Sequence, residues 1–341
     1  MGNTITDSHT LVTGANGEFG HALVKALYER GARNIVALDL HELSGDLKPY
    51  CVRWLEADIK DPSIGSKLEQ GLRFHTIFHL AALLSTRSER EPELAHDVNV
   101  VGTARLLHVA ACNARRGPVR FLFPSSIAAY GIKDLATKCR VGKVNEDQFL
   151  EPITMYGCNK LACEHLGRYY RDHYRLLDGA EQRVGVDFRS IRFPGVISAM
   201  TLPTGGTSDF GPEMIHAAAR GMSYSCFVRS DTRIPFMTMS DAIDSLLRLE
   251  AADRDGLSRC VYNVTAFNPS AKEIAERVQG SFPDARIEFR PDPLRQEIVD
   301  SWPENVDDSA ARRDFGHAPS HDFERAFSEY LLPGIRDRYR D

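Results

Sequence analysis

The sequence predicts an α/β fold in which a doubly wound parallel sheet carries a smaller, partly interleaved C-terminal lobe. In the first half, short apolar runs alternate with amphipathic segments, which is typical of βαβ units. Most of the runs hold apolar residues at consecutive positions, as expected for parallel strands that are covered on both faces. After about residue 195 the alternation stops. We therefore predict a first domain over residues 1–195 and a lobe over residues 196–341, with a segment near 236–265 returning to the core of the first domain.

The predicted strands follow the apolar runs. They cover residues 10–13, 34–39, 52–59, 76–82, 120–126 and 185–192. Isoleucine, valine, leucine and phenylalanine dominate these runs, and such side chains fit a buried pleated surface. The segments between them are long enough for helical crossovers, which predicts that neighbouring strands are parallel.

Helices are predicted where apolar residues recur three or four positions apart. They cover residues 18–29, 92–113, 155–174 and 209–221. Ser270 and Glu273 have the spacing of a capping box, which predicts a further short helix at this point. Residues 203–208 are crowded with glycine, proline, threonine and serine, so we expect a loop there. The basic stretch 133–143 is also expected to be a polar loop.

The composition is that of an ordinary globular protein, with 43% hydrophobic and 26% charged residues among 341. The formal net charge of -5 argues against a nucleic-acid or membrane partner, because such surfaces need clustered basic groups. No apolar stretch is long enough to span a bilayer, and residues 1–9 carry no secretory signal. The seven cysteines are scattered, which favours reduced thiols and a cytoplasmic location. His75 and His79 have no third ligand nearby, so no metal site is predicted.

Three glycines follow the first predicted strand. Gly14, Gly17 and Gly20 have the spacing G-x-x-G-x-x-G, which allows a tight turn that presents backbone N–H groups to a pyrophosphate. Asp39 ends the second strand, where a carboxylate accepts from a ribose 2′-hydroxyl and repels a 2′-phosphate. Asp58 ends the third strand, where an acid can meet an adenine amino group. The pattern predicts a Rossmann-type dinucleotide-binding domain over residues 1–195 that prefers NAD to NADP.

A second group of residues indicates proton transfer. Tyr156 and Lys160 lie four positions apart, so a helix presents them on one face. An ammonium beside a phenol lowers the phenol pKa from its ordinary value of about 10. Ser126 ends the fifth predicted strand, at the sheet edge where the nicotinamide of a bound dinucleotide is expected. A hydroxyl, a phenol and an amine that converge there form a set suited to acid–base catalysis.

These motifs, in this order, resemble the extended short-chain dehydrogenase/reductase superfamily. The likeness is carried by the glycine motif, Asp39, residues 80–82, Asn99, Ser126, Tyr156, Lys160 and residues 192–195. Within that superfamily the sequence is similar to short-chain-type L-threonine 3-dehydrogenases, on residues 123–128, 203–210, 262–267 and 300–303. The loop 131–151 is longer than this family usually carries.

The resemblance implies oxidation of L-threonine at C3 by NAD, giving 2-amino-3-oxobutyrate. It implies that Tyr156 is the base, that Lys160 lowers the Tyr156 pKa and holds the ribose hydroxyls, and that Ser126 bonds the substrate oxygen. The cofactor site is expected to comprise Gly14, Asn16, Gly17, Glu18, Phe19, Gly20, Asp39, Asp58, Ile59, Leu80, Ala81, Ala82, Asn99, Ser125, Tyr156, Lys160 and Phe193. The substrate site is expected to comprise Ser85, Ser126, Tyr156, Thr207 and Ser208.

The resemblance also implies a homodimer, since the helices equivalent to 92–113 and 155–174 form a dimer interface in this superfamily. The apolar residues of these helices are also compatible with an internal core. One alternative function is that of a nucleotide-sugar epimerase or dehydratase on the same scaffold. Such an enzyme needs basic residues for a diphosphate, and Arg189, Arg192, Arg229 and Arg233 are available in the sequence. The other alternative, a cofactor sensor without catalysis, has no need of Ser126, Tyr156 and Lys160.

Overall fold

The computed structural model describes residues 8–69, 71–178, 185–199, 202–203 and 206–339. The strands described are β1 (Ser8–Thr13), β2 (Ile35–Asp39), β3 (Arg53–Glu56), β4 (Arg73–His79), β5 (Arg120–Ser126), β6 (Lys143–Val144), β7 (Asp187–Phe193), β8 (Gly195–Ile197), β9 (Tyr224–Cys226), β10 (Phe236–Thr238), β11 (Val261–Asn263), β12 (Ile287–Phe289) and β13 (Asn305–Val306).

The helices described are α1 (Glu18–Glu29), α2 (Ile64–Glu69), α3 (Ser85–Arg90), α4 (Pro92–His96), α5 (Thr103–Ala114), α6 (Leu135–Val141), α7 (Met155–Asp172), α8 (Phe210–Ala219), α9 (Met239–Ala251), α10 (Ala271–Ser281), α11 (Pro293–Asp300), α12 (Ser309–Phe315), α13 (Phe323–Arg325) and α14 (Leu332–Arg338). A π-helical turn, Asp97–Gly102, joins α4 to α5, and a second, Ala326–Leu331, joins α13 to α14. Among the helices of the described residues, none has both the length and the apolar character needed to cross a membrane.

A parallel sheet lies at the centre of the described structure, and the predicted α/β fold is confirmed. Within the described residues, seven strands pair in the order β11-β7-β5-β4-β1-β2-β3. From β1 the chain winds outward to β2 and β3, and then returns to build β4, β5, β7 and β11 on the other side. This reversal between β1 and β4 leaves a crevice at the carboxyl ends of the strands, which is where ligands bind in sheets of this kind.

Successive residues of each strand face opposite layers of helices, because side chains alternate along a strand. Val12 of β1 shares a buried cluster with Leu23 of α1 and Leu246 of α9. The neighbouring Leu11 belongs to another cluster, with Leu106 of α5. Both faces of β1 are therefore covered, which explains why Leu11 and Val12 are apolar at consecutive positions.

The C-terminal lobe has a third apolar cluster of its own, to which α8, α10 and α11 contribute Met214, Ile274 and Val299. The predicted capping box is present at the start of α10. The Ser270 hydroxyl accepts the Glu273 N–H at 3.2 Å, and the Glu273 carboxylate accepts the Ser270 N–H at 2.6 Å. The segment 236–265 runs beside the first domain, because β11 pairs with β7 and α9 packs against it.

Five of the six predicted strands differ at their ends from the observed ones, and in two of them the prediction runs past the carboxyl end of the strand. Residues 52–59 give the shorter β3, and residues 76–82 correspond to β4, which starts earlier and ends at His79. In both places the apolar run continues past the strand into a buried or cavity-lining turn, at Ile59 and at residues 80–82. Hydrophobicity alone does not separate such a turn from a strand.

The segment 131–151 contains regular structure where a polar loop was predicted. Asp134 caps α6 by accepting the Thr137 N–H at 2.7 Å, and β6 pairs with β13 of the lobe. Lys138 is buried, and its ammonium donates to the Val299 carbonyl at 2.9 Å. The basic residues of this stretch are thus not all a solvated face, since one of them fastens the segment to α11.

Candidate active site

The glycine turn brings backbone segments together at the carboxyl end of β1. Gly14 has a φ of +67°, and a Cβ there would lie 2.7 Å from the Ala81 nitrogen. A Cβ at Gly20 would overlap the carbonyl oxygens of Gly14 and Ala15. Only glycine permits these approaches. They leave the N-terminus of α1 pointing at the crevice, with no side-chain cap on Gly17, and such a terminus suits a phosphate group.

Asp39 is fixed at the end of β2 by two backbone donors. Its carboxylate accepts the Asn16 N–H at 2.9 Å and the His41 N–H at 3.2 Å. The Asn16 side chain donates to the Glu42 carbonyl at 2.9 Å and accepts the Ser44 N–H at 2.9 Å, which ties the turn after β2 to the glycine turn. The residues present therefore fit an adenosine ribose beside Asp39 and a pyrophosphate at α1.

A cavity of about 690 Å³ runs from this turn to the start of α7. Most of the predicted site residues lie on its wall: Gly14, Asn16, Gly17, Glu18, Phe19, Gly20, Asp39, Asp58, Ile59, Leu80, Ala81, Ala82, Ser85, Ser125, Ser126, Tyr156, Lys160, Phe193 and Ser208. Residues far apart in the sequence, from the ends of six strands and from three helices, thus surround one space. A cavity of this size is typical of small-molecule and cofactor sites.

Two predicted site residues do not lie on this wall. Asn99 is buried in the π-helical turn, where its amide oxygen accepts the Leu83 N–H at 2.8 Å and its amide nitrogen donates to the Leu83 carbonyl at 3.1 Å. It therefore positions Leu83, which does line the cavity. Thr207 is buried as well, next to the cavity-lining Ser208. Thr204 and Gly205 of the predicted loop 203–208 lie outside the described residues.

The catalytic candidates are brought together by the close packing of α7 on the turn after β5. Thr154 caps α7 by accepting the Gly157 N–H at 3.1 Å. A Cβ at Gly157 would overlap the Ala128 carbonyl oxygen, so glycine is required at this contact. The Ser126 hydroxyl accepts the Ala128 N–H at 3.1 Å and turns the chain towards α7. This packing places Ser126 and Tyr156 on one part of the wall.

The electrostatics of this wall differ from the prediction. Burial raises the pKa of the Tyr156 phenol above its ordinary value, whereas Lys160 was expected to lower it. The Lys160 ammonium lies 5.4 Å from the centre of the Tyr156 ring, and it donates to the Pro124 carbonyl at 2.6 Å. Burial also lowers the pKa of Lys160, to about 8. The cost of desolvation thus outweighs the mutual effect of the pair.

The four arginines considered for a diphosphate are engaged elsewhere in the described structure. Arg192 and Arg189 are buried and pair with Glu164 and Asp187, in each case with an N–O distance of 2.6 Å. The other two are held in the lobe, Arg229 by Asp300 at 2.7 Å and Arg233 by Glu273 at 2.8 Å. The cavity wall includes none of the four.

Some residues of the wall were not predicted. Trp302 of the lobe is buried and lines the cavity. Asp209 lines it too, and its carboxylate accepts the Gly206 N–H at 2.7 Å. Arg87 lies at the same end and pairs with Glu91 at 2.9 Å. In the sequence these residues stand far from the glycine and Tyr156 motifs, and no spacing links them to that site.

Known proteins are similar to this chain over nearly its whole length. Residues 10–265 match the family described as NAD dependent epimerase/dehydratase. A Staphylococcus haemolyticus protein described as an epimerase/dehydratase is 34% identical, over 96% of this chain and 98% of its own. The structure of L-threonine 3-dehydrogenase from Trypanosoma brucei is similar with a TM-score of 0.85 and 34% identity, over 97% of this chain and 98% of that one. L-threonine dehydrogenase from Clostridium difficile has a TM-score of 0.83 and 31% identity, with coverage of 97% and 98%.

Proposed function

This chain belongs to the NAD dependent epimerase/dehydratase family, and we propose that it oxidises L-threonine at C3. The products would be 2-amino-3-oxobutyrate, NADH and a proton. The observation that carries the proposal is that Ser126, Tyr156 and Lys160 line the same cavity as the glycine turn. The similarity to two solved L-threonine dehydrogenases over nearly the whole chain supports the choice of substrate.

In this mechanism NAD, when bound, accepts the hydride from C3, and its cationic ring favours the ionised form of a nearby phenol. The Tyr156 oxygen takes the proton of the β-hydroxyl, and the Ser126 hydroxyl donates to that same substrate oxygen. Lys160 holds the ribose hydroxyls and stabilises the phenolate. Because burial raises the pKa of Tyr156, its phenolate would need stabilisation by both the Lys160 ammonium and the positive charge of bound NAD.

A zwitterionic substrate needs polar partners away from the reacting carbon. We assign this part to Ser85 and Ser208, which line the same cavity as Tyr156 and Trp302. Thr207, which is buried, would act by holding Ser208 rather than by direct contact. Hydroxyl groups suit both ends of an amino acid, because they donate to a carboxylate and accept from an ammonium.

The substrate class is tested by following NADH formation with L-threonine, L-serine and other 3-hydroxy amino acids, and by titrating UDP-sugars. We expect L-threonine to be oxidised and UDP-sugars to bind weakly, because the four candidate arginines are paired elsewhere. Tight UDP-sugar binding without any amino-acid oxidation would reverse the assignment in favour of the epimerase or dehydratase alternative.

The base is tested by Tyr156→Phe, which removes the phenolic oxygen and keeps the ring. We expect kcat to fall at least about 1,000-fold, since proton transfer and oxyanion stabilisation are both lost, while NADH binding stays close to that of the wild type. Tyr50→Phe is the matched control, because Tyr50 packs on Tyr28 outside the cavity wall. If Tyr156→Phe kept most of kcat, Tyr156 would not be the base.

We also propose that the protein works as a cytoplasmic homodimer through α5 and α7. Leu106 and Leu107 of α5 are buried in the core of the protomer itself, which supports the alternative that these apolar residues belong to an internal core. Tyr169 of α7 is exposed, as is Ile153 just before its start, and these two side chains are available to a second copy. All seven cysteines are free, which fits a reducing compartment. Light scattering of the purified protein should give twice the mass of the chain.

A further inference from the structure

A fully buried ion pair lies behind the proposed catalytic wall. Glu164 is on α7, four positions after Lys160, and Arg192 is on β7. The Arg192 guanidinium donates to both carboxylate oxygens of Glu164, from Nε at 2.9 Å and from its terminal nitrogen at 2.6 Å. Both side chains are fully shielded from solvent. None of the contacts described so far explains why a charged pair is kept at this place.

Glu164 also reaches the end of β5. Its carboxylate accepts the Ser125 hydroxyl at 2.6 Å, and one turn earlier Lys160 donates to the Pro124 carbonyl at 2.6 Å. These two bonds join consecutive residues of β5 to consecutive turns of α7. Because Ser126 follows on the strand and Tyr156 precedes on the helix, the distance between them depends on both bonds.

The pair is closed off from the other side by the segment that follows β5. The second terminal nitrogen of Arg192 donates to the Tyr130 hydroxyl at 2.9 Å and to the Glu146 carbonyl at 2.7 Å. The Glu146 carboxylate forms an ion pair with Arg259, with an N–O distance of 3.1 Å. The segment 131–151 thus covers the ion pair and excludes water from it.

From this geometry we infer that Glu164 is a positioning residue, which holds Ser126 and Lys160 at the correct distance from Tyr156. The inference rests on the proposed function of those three residues. Exchange of a whole buried ion pair for apolar side chains often leaves stability unchanged, so stability alone does not require the pair. The bond to Ser125 and the charge behind Lys160 are what an apolar replacement would lose.

The charge of Glu164 bears on the pH dependence of the reaction. Burial lowers the pKa of Lys160, and the Glu164 carboxylate opposes this effect. The other titratable groups around Lys160 are His79 on β4 and Tyr156 and Cys163 on α7. Loss of the Glu164 charge would also leave the positive charge of Arg192 without its partner. The missing negative charge and the unpaired positive charge both favour a neutral Lys160. The alkaline limb of the kcat/KM profile should then move to lower pH.

The test compares Glu164→Gln with Asp187→Asn. Asp187 is on the same strand as Arg192 and forms the equivalent buried pair with Arg189, outside the cavity wall. Both variants should lose thermal stability. Only Glu164→Gln should lower kcat, by about tenfold or more, shift the alkaline limb, and weaken NADH binding. Equal effects of the two variants on kcat, pH profile and NADH binding would overturn the inference, because the role of Glu164 would then be structural alone.

Two further variants keep the test decisive if Glu164→Gln folds poorly. Ser125→Ala removes the hydroxyl that donates to Glu164, keeps the Glu164–Arg192 pair, and should reproduce part of the loss in kcat. The double variant Glu164→Met with Arg192→Met should recover thermal stability without recovering kcat or NADH affinity. If the stable double variant had the kcat and the NADH affinity of the wild type, the inference would be overturned. NADH binding can be measured without an amino-acid substrate. If the wild-type protein bound NADH but oxidised no 3-hydroxy amino acid, the proposed function would be wrong, and the effect of Glu164 on NADH binding could still be tested.

Discussion

We propose that the choice between NAD and NADP depends on the carboxylate of Asp39. Both of its oxygens are fixed by backbone donors, from Asn16 and His41, so the group cannot turn away from the cavity without losing these bonds. A fixed carboxylate accepts from a 2′-hydroxyl and repels a 2′-phosphate. On this proposal, the preference for NAD over NADP is a property of one side chain and of the two N–H groups that hold it.

We predict that Asp39→Ala lowers the ratio of kcat/KM for NAD to that for NADP by about 10- to 100-fold, since a hydrogen bond to a charged group is lost together with the repulsion. Asp58→Ala is the control. Asp58 lines the same cavity, but its carboxylate is engaged by Lys60, whose N–H it accepts at 2.8 Å. That variant should weaken both cofactors alike. An unchanged ratio in Asp39→Ala would show that another group selects the cofactor.

The residues that could be predicted from the sequence are those whose role follows from local spacing. Glycines in a turn, an acid at a strand end, and Tyr156 with Lys160 on one helical turn all lie on the cavity wall. Trp302 and Glu164 could not be assigned in this way. Trp302 reaches the wall from the lobe, and Glu164 acts through a strand nearly forty positions earlier and another nearly thirty later, so only the folded chain brings out their contacts.

Helix α7 shows how a single contact between elements positions the catalytic candidates. Its Gly157 lies directly against the Ala128 carbonyl, and a Cβ would also come within 2.8 Å of Pro152. In an unconstrained helix, alanine is more favourable than glycine by about 1 kcal/mol. Here the close approach reverses that preference, because the added methyl group would push α7 away from the turn after β5.

We predict that Gly157→Ala lowers the thermal midpoint and reduces kcat at least about tenfold, since Tyr156 and Ser126 would be moved apart. Gly280→Ala in α10 is the matched control, because a Cβ at Gly280 meets no atom within 4 Å. It should raise stability slightly and leave kcat unchanged. Stabilisation by both variants in melting experiments would mean that α7 does not pack as closely as described.

At the scale of elements, the sequence predicts best where an apolar run ends in a strong turn signal. The strand 120–126 and the helix 18–29 have their predicted bounds, since each is limited by glycine, proline or polar turn residues. The segment 131–151 could not be predicted, because its helix is short and one of its basic residues is buried. Lys138 there is satisfied by a carbonyl of α11, more than 150 positions away. Periodicity contains no information about such a partner.

The response to acid belongs to the whole molecule, and the buried His79 contributes to it. The imidazole links β1 to the start of α5, with Thr13 at 2.8 Å on Nδ1 and Thr103 at 2.9 Å on Nε2. Burial lowers the pKa of His79 from its ordinary 6.5 to about 3. The folded chain therefore holds this ring neutral over most of the acid range.

The effect of His79 on the free energy of unfolding depends on which state, folded or unfolded, binds the proton. Above about pH 6.5 His79 is neutral in both states and does not affect stability. Below it the unfolded chain binds a proton that the folded chain refuses, so the free energy of unfolding falls as the pH falls, until the folded ring is also protonated near pH 3. Between about pH 6.5 and about pH 5 this single group should account for about 2 kcal/mol of lost stability.

We predict that His79→Gln, which keeps a donor and an acceptor in the core, is less stable than the wild type at neutral pH but loses less stability on acidification. Urea unfolding at several pH values measures both slopes. His41→Gln, which replaces an exposed histidine, should follow the wild-type curve. If His79→Gln lost as much stability as the wild type between about pH 6.5 and about pH 5, the acid response would have to come from other groups, and His79 would not be held neutral between β1 and α5.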